Sequence, residues 1–175
     1  MVSEMIRTER RVLIGLWANF ALALGFWVWL AILPVGALVL IALALTCATT
    51  ALHFFSGPST LSKFANTALL VYYFSIFVYG SYGQESMHFH FAFTMTVIGL
   101  YSDWRLVAFI SILYAVHHAA FVYFEPELIF RHAVQWQGSL FGPWQTFLIH
   151  GLAVVIVAIP LAVQVAWSRS KISQL

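Results

Sequence analysis

The sequence predicts an all-α integral membrane protein, a six-helix bundle with both termini in the cytoplasm. Three observations lead there. The 175 residues are 62% hydrophobic and 8% charged, with a mean hydropathy of +0.91, too apolar to build a water-facing surface. Apolar runs of about 20 residues, the length a helix needs to cross a bilayer, recur along nearly the whole chain. These runs lack alternation of period two. Hydrocarbon offers no hydrogen-bond partners to a backbone, so the choice falls on helices rather than a barrel.

Six spans fit, at Val12–Leu33, Val35–Phe55, Phe64–Tyr79, His88–Tyr101, Leu106–Phe124 and Trp144–Trp167. The third and fourth are short and are expected to extend into their flanks. Breaks fall at Pro34, at Ser56-Gly57-Pro58-Ser59, at Gly80-Ser81-Tyr82-Gly83, at Ser102-Asp103-Trp104-Arg105 and across Glu125–Pro143, where Gly and Pro act as ordinary helix punctuation. The first run is too long for a cleaved signal peptide, lacks a small-residue cleavage site and is followed at once by a second span. Residues 1–11 read as a cytoplasmic N-terminal segment and 12–167 as the membrane domain. Residues 168–175, which turn polar, read as the start of a cytoplasmic linker leading to an output domain. Cys47 sits alone in an apolar run and forms no internal disulfide.

Orientation follows from the basic residues. Arg7, Arg10, Arg11, Lys63, Arg105, Arg169 and Lys171 fall on one side of this topology, and Arg131 alone on the other; the basic side is cytoplasmic. The net charge of +2 is therefore a topology signal and not a nucleic-acid footprint. Trp17, Trp104, Trp136, Trp144 and Trp167 lie near span ends, where amphipathic rings favour the interface.

Five of the seven histidines now acquire a depth. His88 and His90 enter with the fourth span, His117 and His118 lie about two turns before the end of the fifth, and His150 about two turns into the sixth. At about 1.5 Å per residue the last three lie roughly 9–10 Å below the outer boundary. An ionisable group inside a membrane marks a functional site by default, and neutral imidazole is the commonest protein ligand for transition metals. A lone intramembrane histidine usually bridges helices by a hydrogen bond; five at one level on three helices point to ligation. Residues i and i+2 of a helix point about 200° apart, so His88 and His90 do not readily share one ion. They serve two centres, or one ligates while the other hydrogen-bonds. His117 and His118 can flank one centre, with Tyr114 one turn before them. His53 lies at the other end of the bundle and reads as an interfacial structural residue. His132, in the outer loop, either covers the site or is solvated.

Weaker features surround this cluster. Glu85-x-x-His88 has the spacing of di-iron carboxylate motifs, which normally come in pairs. Met87 is a soft copper ligand by type, although packing is its commoner role. Asp103-Trp104-Arg105 reads as a topological anchor with a local ion pair. No phosphate-binding loop, nucleophile elbow or haem-attaching C-x-x-C-H is present in the sequence.

The run GQESMHFHFAFTMTVIGLYSDWR, then LYAVHHAAFVYF and a histidine in FLIHGLAVV, resembles the six-span N-terminal region of bacterial chemotaxis receptors and related signalling proteins. The resemblance covers roughly Gly83 to Val155. It implies that His88, His90, His117, His118 and His150 are the family's characteristic histidines. It also implies a bacterial inner membrane, a homodimer and a cytoplasmic signalling output. The chain departs from the pattern at Ser86, where an acidic residue is expected beside Glu85, and along AVVIVAIPLAVQ, where Pro160 and Gln164 stand instead of one.

Together these readings predict a multi-pass sensory input domain rather than an enzyme. Its five histidines hold copper or iron near the periplasmic face, with haem b as the alternative cofactor, and Glu85, Tyr114 and His132 as supporting or covering residues. It reports redox state or a diatomic gas, and its partners are the lipid bilayer, a second copy and the output domain. A membrane oxidoreductase or electron-transfer b-type cytochrome is the reading of a different class. A desaturase is disfavoured because H-x-x-H-H boxes are absent, and a metal transporter because polar positions do not continue across the spans.

Overall fold

The computed structural model describes residues 2–84, 87, 89–129 and 143–172. The described residues form α1 (Val2–Leu30), α2 (Leu33–Ser56), α3 (Thr60–Gly80), α4 (Phe89–Gly99) and α5 (Trp104–Phe124). A four-residue turn, α6 (Pro126–Ile129), and α7 (Pro143–Ile172) complete them. Helices α1, α2, α3, α5 and α7 are long and apolar enough to cross a membrane. Helix α4 has 11 residues, about 16 Å of rise, against a hydrocarbon core of about 30 Å. The six expected helices are present, five of them of membrane length and the fourth short, as its span is in the sequence.

The ends of the helices follow local chemistry. Helix α1 begins at Val2 and runs through the charged segment without a break, because Arg7, Arg10 and Arg11 are exposed while Glu9 and Val12 turn inward. It stops where Ala31 takes a φ of 54°, and Pro34 stands in the first turn of α2, where its missing N–H costs nothing. Gly57, at φ 67°, closes α2 with its N–H on the His53 carbonyl. Ser59 and Ser62 cap α3 reciprocally, each hydroxyl accepting from the other's backbone N–H, at 3.0 and 2.9 Å. Asp103 caps α5 through Arg105 N–H and holds the Arg105 guanidinium at 3.0 and 2.8 Å, which is the expected local ion pair.

Helix α3 is the axis of the bundle, packed against α1, α2, α4 and α5, while α7 lies chiefly on α5. The best apolar window of α3 is 61% buried, that of α7 only 11%. The order of hydropathy is the reverse, 1.3 for α3 and 2.4 for α7. In lipid the most apolar helix has nothing to gain inside, whereas polar side chains need protein partners. Those of α3 find them: Tyr73 with Thr46 at 2.6 Å, Tyr72 on the Leu38 carbonyl at 3.2 Å, and Asn66 donating to Tyr101 at 3.0 Å. At the same end of the bundle as Asn66, His53 is buried with its Nδ1 3.5 Å from the fully buried Glu9. It is therefore an internal residue paired between α1 and α2 rather than an interfacial one.

Candidate metal or haem site

His90 on α4 and His117 and His118 on α5 gather near Phe74, a fully buried residue of α3, and His150 on α7 meets His118. The spacing on α5 makes this possible. Tyr114, His118 and Val122 recur at intervals of four and are buried together, so His118 faces the bundle while His117 is carried about 100° around the helix. The rings of His117 and His118 lie 5.2 Å apart, and those of His118 and His150 5.4 Å. Three imidazoles from two helices thus run as a chain with His118 in the middle. Phe74 contacts His118 in a stacked arrangement at 6.2 Å and His117 edge-on at 5.3 Å. His90 lies against the same Phe74 ring, also at 6.2 Å, and meets Phe77 and Phe93.

Each anchored imidazole has a defined partner. His118 Nδ1 lies 2.9 Å from the Tyr114 carbonyl and 3.5 Å from His117 Nδ1. A carbonyl only accepts, and the shorter contact wins, so Nδ1 carries the proton and the lone pair is on Nε2. His90 Nε2 lies 2.5 Å from Oδ1 of Asn19 on α1. The Tyr114 hydroxyl does not point at the histidines; it bonds Thr94 of α4, both groups fully buried. Tyr114 serves the site through its backbone carbonyl and through a ring packed edge-on against Phe74 and Phe91.

Two apolar cavities of about 500 Å³ each adjoin these residues. One lies between α5 and α7, against Tyr114, His118, Phe147 and His150. The other is bounded by α1, Phe77, Met87 and His90. Both volumes fall in the range of about 300–1,000 Å³ usual for bound organic ligands and cofactors.

Among the described residues, no three His, Cys, Asp or Glu side chains form a group that could hold a metal ion. Of the four described histidines of the cluster, His118 and His150 stand together and His90 lies across Phe74 from His118. His88, Glu85 and His132, named from the sequence, lie outside the described residues. Asn19, Phe74 and Thr94 were not found by sequence reasoning. Asn19 carried a signal, an amide within an apolar span; Phe74 carried none, one phenylalanine among 16. The chain matches no protein-family model, no curated protein and no solved structure.

Proposed function

We propose that this chain is a membrane-embedded sensory input domain holding a redox-active centre on His118 and His150, with His117 beside them and His90 as a separate contributor. The observation that carries the reading is the pairing of two imidazoles from different spans against an apolar cavity, one of them fixed by a backbone carbonyl with its lone pair on Nε2. Histidine ligands in proteins are oriented in this way, by a hydrogen bond from the ring nitrogen that does not ligate. Copper, iron or haem b fits this donor set, and each supplies one-electron chemistry when bound. The cavity of about 500 Å³ beside His118 and His150 favours haem b over a bare ion, which needs far less room.

The signalling role rests on the motif resemblance to chemotaxis receptors and on the basic residues clustered with the N-terminus. The basic residues support an orientation with the termini in the cytoplasm and the histidine end on the far side, and the resemblance supports a bacterial inner membrane. Such a domain passes redox state or a bound diatomic gas to an output by biasing a two-state element, through the differential affinity of the signal for the two states. The lipid-exposed face of α7 is where a second copy would pair. As an electron-transfer b-type cytochrome the chain would use the same pair of histidines, so cofactor identity is determined first.

The test is elemental analysis and an absorption spectrum of the protein purified without added metal. A Soret band that shifts on reduction identifies haem b, and stoichiometric copper or iron without that band identifies a non-haem centre. Neither one, even after reconstitution, would sink the proposal. Fusion to an output domain then separates sensor from carrier. A sensor changes output activity with reductant, oxygen or nitric oxide, and loses the response when His118 is replaced.

A further inference from the structure

The amide of Asn19 fixes more than its distance to His90. Asn19 is 1% exposed, on the face of α1 that meets the bundle. Its Nδ2 donates to the Gly15 carbonyl at 2.7 Å. A carbonyl cannot donate, so the nitrogen of the amide must face Gly15 and the oxygen must face His90. That oxygen only accepts, so the His90 nitrogen 2.5 Å away, Nε2, carries the hydrogen. In the neutral ring the lone pair then sits on Nδ1. His90 Nδ1 is buried and has no hydrogen-bond partner among the described residues. It belongs to a side chain that borders the cavity shared with Met87, Phe77 and Trp29.

We infer that Asn19 is a positioning residue that sets the tautomer of His90, so that His90 presents Nδ1, the opposite nitrogen from His118, as its ligating atom. The inference deepens the proposed metal or haem function and rests on it only for the word ligating; the tautomer itself stands on the hydrogen-bond chain from Gly15 through Asn19. It adds α1 to a site whose histidines all come from α4, α5 and α7. It also assigns His90 to the cavity on the α1 side of Phe74. Among the described residues that border this cavity the donor side chains are those of His90 and Met87, and an imidazole with a thioether suits soft monovalent copper.

The test begins without any metal. In the full chain labelled with ¹⁵N-histidine in nanodiscs, long-range ¹H–¹⁵N correlation reads which nitrogen of each ring is protonated, and His90→Gln assigns the signal. The wild type is expected to show His90 as the Nε2–H tautomer and His118 as the Nδ1–H tautomer. Asn19→Leu should move His90 to a mixture of tautomers, and Asn19→Asp, which keeps the acceptor, should restore Nε2–H. His118 should not respond to either change. An Nδ1–H tautomer for His90 in the wild type overturns the inference, and it does so whether or not the variants fold. So does an unchanged tautomer in Asn19→Leu. With Cu(I) as the probe, Asn19→Leu should weaken retention by about 10–100-fold, the usual cost of losing the partner that orients a ligand, with rescue by Asn19→Asp. Retention unchanged in Asn19→Leu would remove His90 from the site. If the tautomers are as expected but neither copper, iron nor haem is held by the wild type, the proposed function fails and the tautomer assignment survives.

Discussion

His90, partly buried, and His118, buried, both lie near Phe74, and they are held by opposite means. His118 is anchored by the carbonyl four residues before it on the same helix. The acceptor lies one turn back on the same helix, so it stays within reach of the His118 ring as long as α5 is intact. His90 is anchored by a side chain 71 residues away, on a helix that touches α4 only lightly. Its orientation is a tertiary property, lost whenever α1 shifts. A site built from one local and one distant anchor has a fixed half and an adjustable half.

The sharpest way to break that comparison is to remove the fixed half. His118→Ala and His150→Ala should each lower cofactor retention by more than about 100-fold, because a lost ligand bond has no packing substitute and loss of an orienting partner alone costs about 10–100-fold. His53→Ala, at the other end of the bundle beside Glu9, should leave occupancy unchanged. Equal loss in all three variants, by metal content or Soret absorbance, would mean a general folding defect and would leave His118 without special standing. Phe74 joins both halves, and Phe74→Ala should cost about 3–5 kcal/mol of stability as a buried aromatic truncation. Unfolding in mixed micelles checks this, and both histidine signals should broaden together.

Tyr114→Phe separates the two. It keeps the carbonyl that holds His118 and removes the hydroxyl that ties α5 to Thr94. About 1–2 kcal/mol should be lost with the buried hydrogen bond. His118 should keep its tautomer while His90, carried by α4, loses definition; a change confined to His118 would reverse the assignment of local and distant anchors. The smallest effect is expected at Asp103→Ala, about 1 kcal/mol for the lost cap of α5, with no change in either ring by NMR.

How much of this the sequence carries depends on how local each feature is. The membrane-length helices were legible because apolar length alone decides them, and Pro34, Gly57 and Asp103 mark their ends through local chemistry. The continuous start of α1 was not, since the charges of residues 4–11 read as an aqueous segment, although a helix holds its own backbone bonds on either side of a membrane boundary. The fourth span reads as short in the sequence and α4 is short, at 11 residues, although FHFAFTMTVIG is as apolar as a spanning segment. Histidine type and spacing single out His90, His117, His118 and His150 in the sequence, and the structure sets the rings of His117 and His118 5.2 Å apart. The separation of His90 from them depends on Phe74 and Asn19, which lie on helices whose own sequences contain no histidine facing the site. The partner of His53 was hidden for the same reason, Glu9 being 44 positions away in the chain.

Gly80 gives the distant anchor its setting. A Cβ at that position would come within 2.6 Å of the Phe26 ring, so Phe26 sits directly on bare backbone of α3. Phe26 and Asn19 are seven residues apart, two turns and about 10 Å along α1, and share one face of it. The bare backbone at Gly80 thus lets α1 lie close against α3 on the face that carries Asn19, and any side chain there would push Phe26, and α1 with it, away.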